Sequence, residues 1–138
     1  MRLDLLYHHA ADLGLRVEWD DMGDFRRGVY FDDLQVIVLN NALTTNQATA
    51  ALAHEIGHAV FGDRCTDPRR ERRADEYGAS LIITVKDYKR AERMVGCHLG
   101  ALADELEVTP RLVEAWRRWY ARQPQRRFPQ RSVGARLA

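Results

Sequence analysis

The pentad His54-Glu55-Ile56-Gly57-His58 constrains this chain more than any other stretch, because its flanks already dictate a helix. Thr44 followed three residues on by Gln47 has the form of a capping box. The apolar set Ala48, Ala51, Leu52, Ile56, Ala59 and Val60 then recurs at helical spacing until Gly62 stops it. Side chains four apart lie one turn apart on the same face, so both imidazoles can reach one metal ion while Glu55, about 100° round from His54, can reach a water beside it. With five histidines and eight glutamates in the chain, a shuffled sequence would carry such a pentad about once in a hundred times. Glu55-x-x-His58 is also half of a di-iron bundle motif, but that motif needs a second copy on another helix and the sequence has none. Zinc is therefore the expected ion.

A catalytic zinc normally takes three protein ligands and leaves its fourth position to water, so a third donor is required. Asp67-Pro68 forms a cap with proline at the first helical position and predicts a helix through about Ile83, with Ala74, Gly78, Leu81 and Ile82 on its inner face. On that helix Glu71 and Asp75 are four apart and share a face. Glu71 could ligate the ion while Asp75 accepts a hydrogen bond from the far nitrogen of one imidazole. The thirteen residues from His58 to Glu71 leave room for a turn and an antiparallel return. Cys65 is the alternative ligand, and Glu71 could instead be an ordinary helix-start carboxylate beside Arg69 to Arg73. His8, His9 and His98 are not assigned as ligands.

The rest of the chain divides by periodicity. Leu3, Leu6, Ala10 and Leu13 predict an amphipathic first helix ended by Gly14. Residues 16–19, 28–31 and 35–39 read as three short strands of a small antiparallel sheet. Residues 87–95 and 99–106 are helical pieces, and Thr109-Pro110 caps another containing Leu112, Val113, Trp116 and Trp119. Residues 99–121 have the form of a helix-turn-helix. Arg111, Arg117, Arg118 and Arg122 there could contact DNA phosphates or simply solvate an exposed face beside the tryptophans.

Length and composition bound the remainder. A chain of 138 residues, 46% hydrophobic and 30% charged, reads as one soluble domain over residues 1–121. A basic, loosely ordered tail is expected over 122–138, since residues 111–138 carry eight basic groups and one acidic. No apolar run is long enough for a membrane span, and the first residues do not form a secretory signal. Cys65 and Cys97 are expected as free thiols in the cytoplasm.

The run His54-Glu55-Ile56-Gly57-His58 followed by Glu71-Arg72-Arg73-Ala74-Asp75 resembles the zinc signature of the ImmA/IrrE metallopeptidases, HE-x-G-H and then E-x-x-A-N/D. Gly28-x-Tyr30, the strand Val36 to Asn40 and the stretch Gln47 to Leu52 resemble that family's hairpin and helix, and the likeness covers residues 3 to 120. It implies an α+β, zincin-like fold with a small antiparallel sheet, an HExxH helix and a C-terminal helical subdomain that walls the peptide cleft. It also implies zinc held by His54, His58 and Glu71 in the manner of a gluzincin, Glu55 as general base and Asp75 as the partner of a ligand. The substrate it implies is a protein, a DNA-binding repressor or antitoxin-like regulator of a phage, mobile element or stress circuit. Tyr30, Tyr77 and Tyr88 are candidate oxyanion donors. The alternative class is a nucleic-acid-binding regulatory module whose zinc site is structural or vestigial.

Overall fold

Helix boundaries fall where the sequence supplies caps and stops. The computed structural model describes residues 2–124. In it α1 (Arg2–Asp12) is ended by Gly14, whose φ of 77° carries the chain into β1 (Arg16–Asp20). β2 (Gly28–Phe31) and β3 (Val36–Asn40) follow. Then the Thr44–Gln47 capping box, with both of its reciprocal bonds formed, opens α2 (Thr45–Phe61). Asp67 accepts from the Arg70 N–H and Pro68 starts α3 (Pro68–Ile82). The Thr84 hydroxyl accepts from the Asp87 N–H, so α4 (Val85–Val95) begins two residues before the expected Asp87. α5 (Leu99–Leu106) and α6 (Pro110–Ala121) complete the described fold; Thr109 precedes α6 but its hydroxyl makes no capping bond.

The architecture is α+β, with six helices and one three-stranded sheet among the described residues, but the sheet is mixed rather than antiparallel. Its order is β1-β3-β2. β2 and β3 form the expected antiparallel hairpin, whereas β1 runs parallel to β3 with Arg16 opposite Val36 and Asp20 opposite Asn40. The loop after β1 therefore crosses the end of β3 before β2 begins. Alternation along a strand reports which face is buried and carries no information on the direction of its neighbour, which is why the sequence pattern misassigned β1.

The core is built on the faces these elements share. Leu6 and Ala10 of α1, Ile37 and Leu39 of β3, and Leu52 and Ile56 of α2 are buried together. Towards the other end Leu102, Leu106, Leu112 and Val113 surround Trp116, whose ring stacks on Tyr88 and Tyr120 and whose N–H donates 2.8 Å to the Ile83 carbonyl. The closest helix contact is between α2 and α3. A Cβ at Gly57 would stand 2.5 Å from the Ala74 carbonyl oxygen, and one at Gly78 would stand 2.6 Å from that of Ala53. Small residues at these four positions bring the two backbones together, and that approach sets the distance across which side chains from the two helices meet. The basic segment expected beyond the helices lies, from residue 125 on, outside the described residues.

Candidate metal centre

His54 and His58 stand one turn apart on α2, and the close crossing delivers Glu71 of α3 between them. Their Nε2 atoms are 3.1 Å apart, and Glu71 Oε1 lies 3.4 Å from His54 Nε2 while Oε2 lies 2.6 Å from His58 Nε2. Two imidazole nitrogens and a carboxylate oxygen thus fall within 4.8 Å of one another. Tetrahedral donors about 2.05 Å from a zinc ion would be about 3.3 Å apart, so the spacing and the nitrogen–oxygen chemistry of this group fit such an ion.

Each imidazole is held from behind by a different carboxylate. Asp75 Oδ1 is 2.6 Å from Nδ1 of His54, as expected for the residue one turn after Glu71, and Arg111 Nε donates 2.8 Å to the other oxygen of Asp75. Asp63 Oδ2 is 2.8 Å from Nδ1 of His58, a contact the sequence reading missed. The turn that ends α2 explains it. Gly62 is left-handed and the Asp63 N–H returns to the His58 carbonyl, which folds the Asp63 side chain back onto the same residue. Arg73 and Arg70 balance the charge of Asp63. An acid directly after a helix-stopping glycine, five residues beyond a histidine, was the available signal. With both Nδ1 atoms committed to carboxylates, both Nε2 lone pairs converge on one point.

The electrostatics follow from burial and these contacts. Burial opposes a charged His54, but Asp75, Glu55 and Glu71 outweigh it and raise its pKa above the ordinary histidine value. Burial is also the largest influence on Glu55, and there it prevails, lifting the carboxyl above the usual glutamate range despite the two histidines. Glu71 is pushed up by burial yet ends below its ordinary value, because the Thr66 hydroxyl donates 2.6 Å to Oε2 and the histidines add attraction. Asp75 likewise ends low, His54 and Arg111 overcoming its burial.

A cleft runs past the group in two lobes. One lies between the β1–β2 loop, α2 and the start of α6, against Phe25, Arg27, Ala50, Arg111 and Leu112. The other lies against Val29, Tyr30, Asp63, Cys65 and Thr66. Arg26, Gly28, Glu55 and Glu71 line both. Gly28 belongs here for space, since a Cβ would stand 3.3 Å from Glu55 Cγ. The edge strand β2 borders the cleft, and the first turn of α6 walls it.

Other residues singled out by sequence are elsewhere or otherwise engaged. Cys65 is exposed and outside the three-donor group, and both cysteines are free. His8 contacts the Asp4 carbonyl, and His98 sits at the start of α5. Of the candidate tyrosines only Tyr30 lines the cleft. Its hydroxyl donates to Asp32 and accepts from Gln35, and burial first, then Asp32, raises its pKa to about 12. Tyr77 stands beside His9, and Tyr88 accepts from Arg117. The four arginines considered for DNA are all engaged within the chain: Arg111 with Asp75, Arg117 with Tyr88 and the Cys97 carbonyl, and Arg118 and Arg122 with Glu76. No helix among the described residues is long and apolar enough to cross a membrane.

The family model Peptidase_M78, described as the IrrE N-terminal-like domain, matches residues 10–115, a span containing the sheet, α2, α3 and the start of α6. No curated protein matches the chain significantly.

Proposed function

We propose that this chain, which belongs to the Peptidase_M78 family through its IrrE N-terminal-like domain, is a zinc-dependent endopeptidase of the gluzincin type acting on a protein partner. The observation that carries the reading is the convergence of His54, His58 and Glu71 beside the buried carboxyl of Glu55 in an open cleft. His54, His58 and Glu71 would hold the ion, with Asp75 and Asp63 fixing the two rings. When bound, zinc acidifies a water and polarises a carbonyl.

Glu55 then acts as general base, taking the water's proton and passing it to the leaving amine. Burial disfavours its charged form, which suits a group that takes up a proton and then returns it. An extended peptide would add to the free edge of β2, main chain to main chain, along the cleft that this strand borders. The partner, by family likeness, is a DNA-binding repressor or antitoxin-like regulator. A reducing cytoplasmic setting suits two exposed free thiols.

The test compares zinc-loaded wild type with Glu55→Gln on a randomised peptide library and on the candidate regulator. Cleavage by the wild type and a loss of about 10²-fold or more in the variant at equal zinc content are expected. Equal rates for the two proteins would refute Glu55 as the base.

A further inference from the structure

The β1–β2 loop presents two arginines at the cleft mouth. Asn40, buried at the end of β3 where the loop crosses it, uses its whole side chain on its surroundings. Nδ2 donates to the carbonyls of Gly23 and Arg26, both at 2.7 Å, and Oδ1 accepts from the Ala42 N–H. The Asn40 N–H also donates to the Arg27 carbonyl. The loop backbone is thereby fixed at both arginines, while their side chains are exposed.

Most arginines around the site have an acidic partner: Arg64 with Asp32 and Asp33, Arg73 with Asp63, Arg111 with Asp75. Among the described residues the guanidinium groups of Arg26 and Arg27 have none. Arg26 borders both lobes and Arg27 the lobe beneath α6.

We infer that Arg26 and Arg27, clamped by Asn40, form a subsite that selects an acidic side chain of the peptide near the bond to be cut. The inference rests on the peptidase reading above. A carboxylate on the substrate would supply the partner these cations lack, and the fixed backbone limits the ordering cost. A peptide suits the place better than nucleic acid. The lobe is bordered by β2, an edge strand whose main chain can pair with that of a peptide and not with nucleic acid.

Two measurements test this. In the first, zinc-loaded protein digests a randomised ten-residue library and the products are sequenced. Asp and Glu should be enriched about fivefold at one fixed distance from the cut, and the double variant Arg26→Glu/Arg27→Glu should enrich Lys and Arg there instead. In the second, the zinc-loaded Glu55→Gln protein is titrated into two labelled ten-residue peptides, alike except that one carries three glutamates and the other three lysines. Fluorescence anisotropy should give about fivefold tighter binding of the glutamate peptide at low salt, less at high salt, and the reverse order in the charge-reversed protein. Arg93→Glu, exposed on α4, should change neither result. Binding without preference, or a preference that survives charge reversal, would overturn the subsite. So would equal binding of duplex DNA that reversal abolishes. An uncut library would count against the peptidase reading, and the binding order would still decide the subsite.

Discussion

At the residue scale, the two carboxylates behind the imidazoles make distinct demands. Asp75 is shared between His54 and Arg111, whereas Asp63 is buried against His58 with Arg73 and Arg70 around it. Replacing Asp63 by asparagine keeps an acceptor at the same position but removes the charge that makes the ring a stronger donor. Zinc affinity should fall about 10-fold to 100-fold with unchanged far-UV circular dichroism, measured by competition with a chelating dye. Affinity equal to wild type would assign Asp63 to the α2 terminus alone. The contrast also shows what sequence can carry. That His54, His58 and Glu71 come together, with Asp75 behind His54, follows from helical spacing, which places the residues of each pair one turn apart on a common face. Asp63 carries only the weaker signal of an acid after the helix-stopping Gly62, since its reach depends on the left-handed turn there, and Asn40 carries none, since its partners depend on a loop crossing the end of a strand.

At the scale of elements, the site depends on how closely α2 approaches α3. Gly57→Ala would set a methyl against the Ala74 backbone, which cannot rotate away as a side chain can. Separating the helices should cost about 1–3 kcal/mol by thermal or urea unfolding and should weaken zinc binding together with stability, because Glu71 and Asp75 travel with α3. A stable Gly57→Ala protein with normal zinc affinity would contradict this account of the glycine in the pentad. A second junction joins α3 to α6, where the nearly buried Glu76 accepts from Arg118 and Arg122. Burial raises the carboxyl's pKa, but the two arginines prevail and hold it below its ordinary value of 4.5. A carboxyl held low in the folded state contributes stability above its unfolded pKa and loses it as the pH falls through the folded one. Glu76→Gln should therefore destabilise by about 1–2 kcal/mol at pH 7, and the gap to wild type should close below about pH 4.5. A gap independent of pH would mean the pair contributes by packing alone. Helix positions were readable from caps and stops at this level. The direction of β1 was not, because pairing order is a property of the crossing loop and not of the strand.

At the scale of the molecule, the elements that supply the three donors also wall the cleft, so an ion bound there would be coupled to folding. α2 packs on the sheet, α3 on α2, and α6 on α3 through Glu76 and through the Arg111–Asp75 contact that continues to His54. In a Trp19→Phe variant, which removes the tryptophan of β1, Trp116, stacked between Tyr88 and Tyr120, and Trp119 on the same helix report on the end of the fold built by α4 to α6. If residues 2–124 unfold as a unit, urea transitions followed by tryptophan fluorescence and by far-UV circular dichroism coincide. Zinc then moves both together, by about 2.7 kcal/mol when free ion stands at 100 times its Kd, and a chelator reverses the shift. Glu55→Gln should show the same displacement, since Glu55 supplies none of the three donors, whereas Glu71→Ala should lose most of it. A fluorescence transition indifferent to zinc while the dichroism moves would mean that α4 to α6 melt as a separate body. The cleft wall would then be uncoupled from the ligands it faces, and Arg111 could not transmit an event at that wall to His54.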